Sequence, residues 1–206
     1  PDRPAKLIVD KVAASAALLA ALPLIILLWL AYKIEGIVIP EDRGPVFFHY
    51  IAVSGGKTFC KYKFRLIKMK YVDKEAAARG DWHAYAKEWT PESRTWVGRF
   101  VKKFYLDEIP QFFNVLRGDI SLIGPRPLAW HHYRRDLAQG NVCRRVIKAG
   151  LLGQGHVLKG TPEMGKPEHE YDYIEKYMTL SAPALVWHDV KILARGLKVM
   201  MRGQGL

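Results

Sequence analysis

Residues 100–128 read FVKKFYLDEIPQFFNVLRGDISLIGPRPL, and the order of breakers and charges in this stretch governs how the chain is read. Pro110 has a fixed φ and no N–H, so it belongs in the first turn of a helix. The spacing predicts that helix over residues 110–117, burying Phe112, Val115 and Leu116 and stopping at Gly118. Asp107 and Glu108 then lie at its N-terminus, where free N–H groups and the helix dipole favour carboxylates. Lys102 and Lys103 sit one helical turn upstream, and Arg117 and Arg126 follow downstream. An isolated Asp-Glu before a proline is most often a simple cap. Here the pair is followed by GDISLIGPRPL, a run of Gly, Pro and Arg stiffer than a surface loop requires.

The 206 residues carry 32 Lys and Arg against 20 Asp and Glu, a net charge of +12. That balance calls for acidic partners: nucleic acid, anionic lipid or phosphorylated substrates. Six Trp, ten Tyr and eight Phe suit a membrane interface, a core or a base-stacking surface. Cys60 and Cys143 show no metal-ligand spacing and read as free thiols of a reducing compartment.

Residues 12–32 carry no charge and are bounded by Lys11 and Lys33. As one helix they would reach about 31 Å, enough to cross a bilayer. No small-residue cleavage site follows, so the run does not read as a signal peptide. Pro23, at its centre, should kink the helix and leave two halves of about 15 Å each. Arg3, Lys6 and Lys11 precede the run, and Lys33 and Arg43 follow it. Basic residues at both ends fit a helix that enters and leaves by one face as well as a kinked spanning helix.

Residues 36–59 are rich in turn formers. Residues 59–64 then alternate, with Lys61, Lys63 and Arg65 on one side and Tyr62, Phe64 and Leu66 on the other, the period of a half-buried strand. Three cations in a row make a wall for a pyrophosphate or a basic face beside anionic lipid. Residues 70–93 are polar and helix-prone, interrupted at Gly80 and stopped at Pro91. Residues 129–138 read as a helix; its adjacent His131 and His132 diverge by about 100° and do not suit one metal ion. In residues 183–202, Val186, Val190, Leu193, Leu197 and Met200 follow helical spacing beside a stripe of Lys191, Arg195, Lys198 and Arg202. Such a helix either lies in an anionic leaflet or packs on the core.

The run LDEIPQFFNVLRGDISLIGPRPL resembles the signature of the bacterial sugar transferases, the monotopic phosphoglycosyl transferases. Further stretches resemble the same family. GPVFFHY with GGKTF is similar to the segment after the membrane helix, with His49 and Ile51 where Gln and Arg are usual. YKFRLIKM is similar to a KFRSM segment, and KAGLLGQGHVLKG (residues 148–160) to PGITGWAQVNGR. Tyr171-Asp172-Tyr173 resembles a later Asp…Tyr element, with Glu170 as the other candidate for its acid. Lys102 stands where relatives carry an Arg.

The resemblance implies an α+β, mostly helical fold: a Pro23-broken re-entrant helix in residues 1–35 and a membrane-associated catalytic domain, 36–206, with a short β element and amphipathic interfacial helices. It implies residence on the cytoplasmic face of the bacterial inner membrane. The implied reaction moves a phosphosugar from a UDP-sugar to polyprenol (undecaprenyl) phosphate, the first membrane step of glycoconjugate assembly. Asp107 would be the nucleophile and Glu108 its companion, the two holding Mg²⁺. Lys63, Arg65, Lys102, Arg126 and Asp172 would bind substrate phosphate. The partners are then the two substrates and anionic lipid, with no nucleic acid; a homodimer is left open. An aspartyl-phosphate phosphatase would want Asp-x-Asp-x-Thr/Val after a buried strand. A basic membrane adaptor explains the charge but leaves DEIPQ and GPRP without a use; a degenerate transferase would explain the altered peripheral motifs, and the intact central stretch argues against it.

Overall fold

The apolar run forms α1, Pro4–Val38, and the helix is continuous through Pro23. A proline removes one ladder hydrogen bond while the neighbouring turns keep theirs, so the helix need not stop there. It outruns residues 12–32 at both ends because the flanking polar groups are buried: Lys6 and Asp10 before, Glu35 after. Among the described residues it is the one helix long and apolar enough to cross a membrane. The computed structural model describes residues 3–158, 161–163 and 166–201, so the last two residues of the 148–160 loop and Arg202 lie outside it.

After α1 come the strands β1 (Phe47–Ser54) and β2 (Lys57–Phe64) and the helices α2 (Lys74–Ala78), α3 (Trp96–Lys103) and α4 (Gln111–Arg117). Next are β3 (Ser121–Ile123), β4 (Leu128–Ala129), α5 (Trp130–Ala138), α6 (Cys143–Val146) and β5 (Gly150–Leu152). The helices α7 (Gln154–Val157), α8 (Glu168–Thr179) and α9 (Ala182–Met201) close the chain. The fold is therefore α+β and mostly helical. Gly55 and Gly56, both at positive φ (58° and 75°), make the two-residue turn between β1 and β2 that only glycine adopts freely.

The chain forms two compact units. The first comprises Pro1–Ser15, Ala52–Phe59 and Asn114–Leu206. Here β4 extends the hairpin to the order β2-β1-β4, pairing antiparallel with β1 at Ala52↔Ala129 and Val53↔Leu128. The strands β3 and β5 pair in parallel, Ser121↔Gly150 and Ile123↔Leu152. Short apolar runs such as SLI and GLL carry too little periodicity to be recognised as strands from sequence. Ile123, Ile147, Leu152, Tyr173, Leu185 and Ile192 form the core. A buried polar cluster ties the first turns of α1 to it. Lys6 Nζ donates to Asp189 Oδ2 at 2.5 Å, Ser121 to Asp10 Oδ2 at 2.5 Å, and the Tyr173 hydroxyl to Asp189 Oδ1 at 2.8 Å. The helix α9 buries Leu185, Ile192 and Gly196. It leaves Trp187, Val190, Leu193 and Leu197 exposed beside exposed Lys191, Arg195 and Lys198. One face packs on the core while a second face, apolar and basic, does not.

The second unit comprises Ala16–Ile51 and Cys60–Phe113. Its helix α3 is held at its start by three devices. Thr95 accepts from the Gly98 N–H at 2.8 Å, and Glu35 Oε1 accepts from the N–H groups of Trp96 and Val97. Gly98 lies so close to Leu66 that a Cβ would stand 2.1 Å from the Leu66 carbonyl oxygen. Residues 70–93 form the five-residue α2 and short 3₁₀ turns rather than long helices. The side chains of Asp73 and Asp81 each accept from the N–H two residues on, which restarts the chain instead of continuing it.

Candidate active site

Pro110 and Gly118 bracket α4 as the sequence predicts: the helix runs Gln111–Arg117, with Gly118 at φ 80°. Of the three residues expected to be buried only Val115 is; Phe112 and Leu116 are half-buried, and Gln111 and Asn114 are buried instead. The acid pair lies in a 3₁₀ turn, Leu106–Glu108, immediately before it. Tyr105, which opens this turn, has φ 57° and is the one non-glycine residue at positive φ among the described residues. A bulky side chain in that region costs free energy, and such strain persists where the surroundings impose it.

Asp107 is 2% exposed. Its Oδ2 lies 3.0 Å from Lys63 Nζ and 3.7 Å from Lys102 Nζ. Lys63 Nζ also lies 3.1 Å from Glu108 Oε1. Four residues from three elements, β2, α3 and the 3₁₀ turn, therefore converge in the second unit. The Lys102 ammonium also lies over the Trp89 ring, 4.6 Å from its centroid. Burial alone would push the Lys63 pKa down. The carboxylates of Glu108, Asp107 and Glu88 outweigh it and raise the ammonium pKa above the ordinary lysine range.

The alternation over residues 59–64 is a real strand, but both of its sides are buried rather than one. Lys61 and Lys63 are 1% and 4% exposed, and on the opposite side Phe64 is fully buried while Tyr62 is half-buried. Spacing tells which residues share a face and not which face meets the core. Arg65 is also buried, with its guanidinium committed to backbone carbonyls: Pro45 at 2.7 Å, Ile67 at 2.7 Å and Asp42 at 2.8 Å. It also covers the Tyr32 ring at 5.5 Å. The structure thus places Lys63 with the acid pair and gives Arg65 the task of joining three backbone segments.

Arg126 and Asp172 belong to the first unit. The carbonyl of Arg126 accepts from Arg144 Nε at 2.7 Å. Arg144, 6% exposed, binds Asp136 at 3.2 Å and grips both carboxylate oxygens of Glu170, at 2.8 and 2.5 Å. Asp172 is exposed on α8. Of the two candidate acids, Glu170 is the one tied to the GPRP loop through Arg144. Sequence reasoning singled out neither Arg144 nor Glu88, since a lone Arg in a basic run and a Glu in a polar segment give no pattern. Gln111, 1% exposed, stood within DEIPQ without a role.

Carboxylate oxygens are hard donors suited to Mg²⁺, which keeps several waters and needs only one or two carboxylates beside substrate phosphate. The Glu108 side chain is the more exposed of the two, 15% against 3% for Asp107. A buried carboxylate held by two ammonium groups, with a second carboxylate beside it, is equipped to handle phosphate esters.

Residues 1–203 match the family described as Bacterial sugar transferase, and the chain belongs to that family. It is 32% identical over 207 residues to the undecaprenyl-phosphate galactose phosphotransferase of Salmonella typhimurium, covering 95% of this chain and 40% of that protein. It is 31% identical over 200 residues to an N-acetylgalactosaminephosphotransferase of Aeromonas hydrophila that pairs UDP-N-acetylgalactosamine with undecaprenyl phosphate, covering 92% and 43%. A UDP-glucose:undecaprenyl-phosphate glucose-1-phosphate transferase of Caulobacter vibrioides is 34% identical over 204 residues, covering 92% and 67%. The chain thus spans about two fifths of the first two relatives.

Proposed function

We propose that this chain transfers a phosphosugar from a UDP-sugar to polyprenol phosphate, undecaprenyl phosphate in a bacterium, through a covalent intermediate on Asp107. The observation that carries this reading is the buried Asp107 carboxylate, paired with Lys63 and Lys102 beside Glu108. Relatives named for this class of reaction support it.

An oxygen of Asp107 attacks the β-phosphorus of the UDP-sugar. The bond from that phosphorus to the bridging oxygen breaks, and the electron pair leaves on UMP. An oxygen of the polyprenol phosphate then attacks the same phosphorus. The bond to Asp107 breaks, which restores the carboxylate and yields a polyprenyl diphosphate sugar. Neither nucleophile requires a base, since carboxylates and phosphate monoesters are anionic at neutral pH. Lys63 and Lys102 orient Asp107 and offset phosphate charge, and Arg126, in the first unit, is a further phosphate-binding candidate. Glu108, with Asp107, would hold Mg²⁺, which neutralises the charge of the pyrophosphate.

The acceptor is a lipid, and the exposed surface suits a membrane. On α3, Trp96 and Phe100 share one face and are exposed, as is Phe104 beyond them. On α1, Ile26, Leu27, Trp29 and Ile34 are exposed, and α9 adds its apolar and basic face in the first unit. Such surfaces favour an anionic leaflet. We place the protein on the cytoplasmic face of the inner membrane, with α1 re-entrant about Pro23, at the first membrane step of glycoconjugate assembly. Single cysteines at Lys11→Cys and Ile37→Cys, in a Cys60→Ser, Cys143→Ala background, test the topology. Both should react with an impermeant thiol reagent only in inverted vesicles. Reaction of one site in right-side-out vesicles would show a spanning helix instead.

The reaction is tested by UMP release from a panel of UDP-sugars with undecaprenyl phosphate and Mg²⁺. Release with at least one sugar, lost on chelation and regained with Mg²⁺, is expected. Lipid binding with a salt slope, but no UMP from any sugar, would point to a membrane adaptor.

A further inference from the structure

Gln111 opens α4 and is 1% exposed, and its Nε2 has no hydrogen-bond partner among the described residues. Asn114, on the same helix, gives its amide to Asp119 at 2.9 Å. Buried donors in folded proteins are nearly always satisfied, because desolvating an N–H without return opposes folding. A glutamine kept this way calls for an acceptor that arrives with substrate.

Its position says which acceptor. The backbone between the acid pair and α4 is already helical in its bonding: Ile109 N–H donates to Leu106 O at 3.2 Å and Phe112 N–H to Ile109 O at 3.1 Å. Both bonds span three residues, so the run is of 3₁₀ type, and Gln111 lies little more than one turn beyond Asp107. Both side chains are buried there. Asp107 is already gripped by cations, so a neutral donor beside it adds direction rather than charge.

We infer that Gln111 is a further catalytic residue: its Nε2 donates a hydrogen bond to a non-bridging oxygen of the phosphoryl group as that group passes onto and off Asp107. This rests on the phosphosugar-transfer reading above. In the first step the Asp107 oxygen bonds phosphorus while UMP departs with the electron pair, and the equatorial oxygens gain charge. A donor fixed at one of them stabilises the transition state more than the bound UDP-sugar, so its loss falls on kcat.

The test is Gln111→Met in the full chain, reconstituted in lipid nanodiscs and assayed beside wild type for UMP release and thermal unfolding. The expected result is a kcat about 100-fold lower, a KM for the UDP-sugar within about threefold of wild type, and a Tm unchanged or raised, since an unpaired buried donor has been removed. Gln111→Leu repeats the comparison with a different shape. Wild-type turnover in either variant overturns the inference alone. Collapse of the fold in both variants also overturns it, by showing that the amide serves the apo structure. Absence of UMP release by wild type across the sugar panel overturns the transfer reading and this inference with it.

Discussion

Asp107→Asn is expected to lower UMP release by about 10⁴-fold or more, the scale on which removal of a covalent nucleophile acts. The amide keeps the size of the side chain and one acceptor oxygen but cannot displace UMP from the β-phosphorus. Lys63 would keep Glu108 at 3.1 Å as its counter-charge, so the fold should survive with a modest loss of stability. Two readouts separate chemistry from folding: UMP release, and retention of radiolabelled phosphosugar on the denatured protein after incubation with UDP-sugar alone. Both should vanish while Tm stays within several degrees. Wild-type levels of both would remove Asp107 from the mechanism and shift the nucleophile to Glu108.

Lys63→Met is expected to damage stability and activity together. The ammonium lies within 3.0 and 3.1 Å of two carboxylates, with Glu88 adding to the same field. Deleting it leaves like charges facing one another in a buried site, at a cost of about 3–5 kcal/mol. For a chain of this length that corresponds to a Tm lower by roughly 6–20 °C. The pH dependence gives a sharper signature. In wild type the folded-state pKa of Lys63 is raised, so its contribution is complete below the ordinary lysine value of about 10.4 and is lost only above it. Between pH 5 and 9 that contribution is flat. Equal Tm values for variant and wild type across that range would show that Lys63 does not hold the acid pair.

The site and the fold were legible to different depths. Pro110 and Gly118 act on their own backbone torsions, so the bounds of α4 could be read directly from the residues. The apolar run of α1 is likewise a property of composition. Its ends were not readable, because Lys6, Asp10 and Glu35 join the helix through partners remote in sequence: Asp189, Ser121 and the start of α3. The short strands β3, β4 and β5 exist through pairing and carry almost no local pattern. Arg65 shows the same limit within the site. Its spacing from Lys63 puts both on one side of a strand, yet one meets carboxylates and the other meets three carbonyls.

The sequence by itself determined that Asp107 and Glu108 precede a helix, that cations accompany them, and that an apolar helix long enough for a bilayer comes first. These follow from torsional limits, helical period and charge count, each written within a few neighbouring residues. Tertiary structure alone decided that the basic side of β2 is buried as well as the aromatic one and that Lys63, rather than Arg65, joins the acid pair. It alone tied Glu170 to the GPRP loop through Arg144 and left the Gln111 amide buried without a partner. A buried charge finds its counter-charge through folding, and that choice is made between segments that local spacing does not relate.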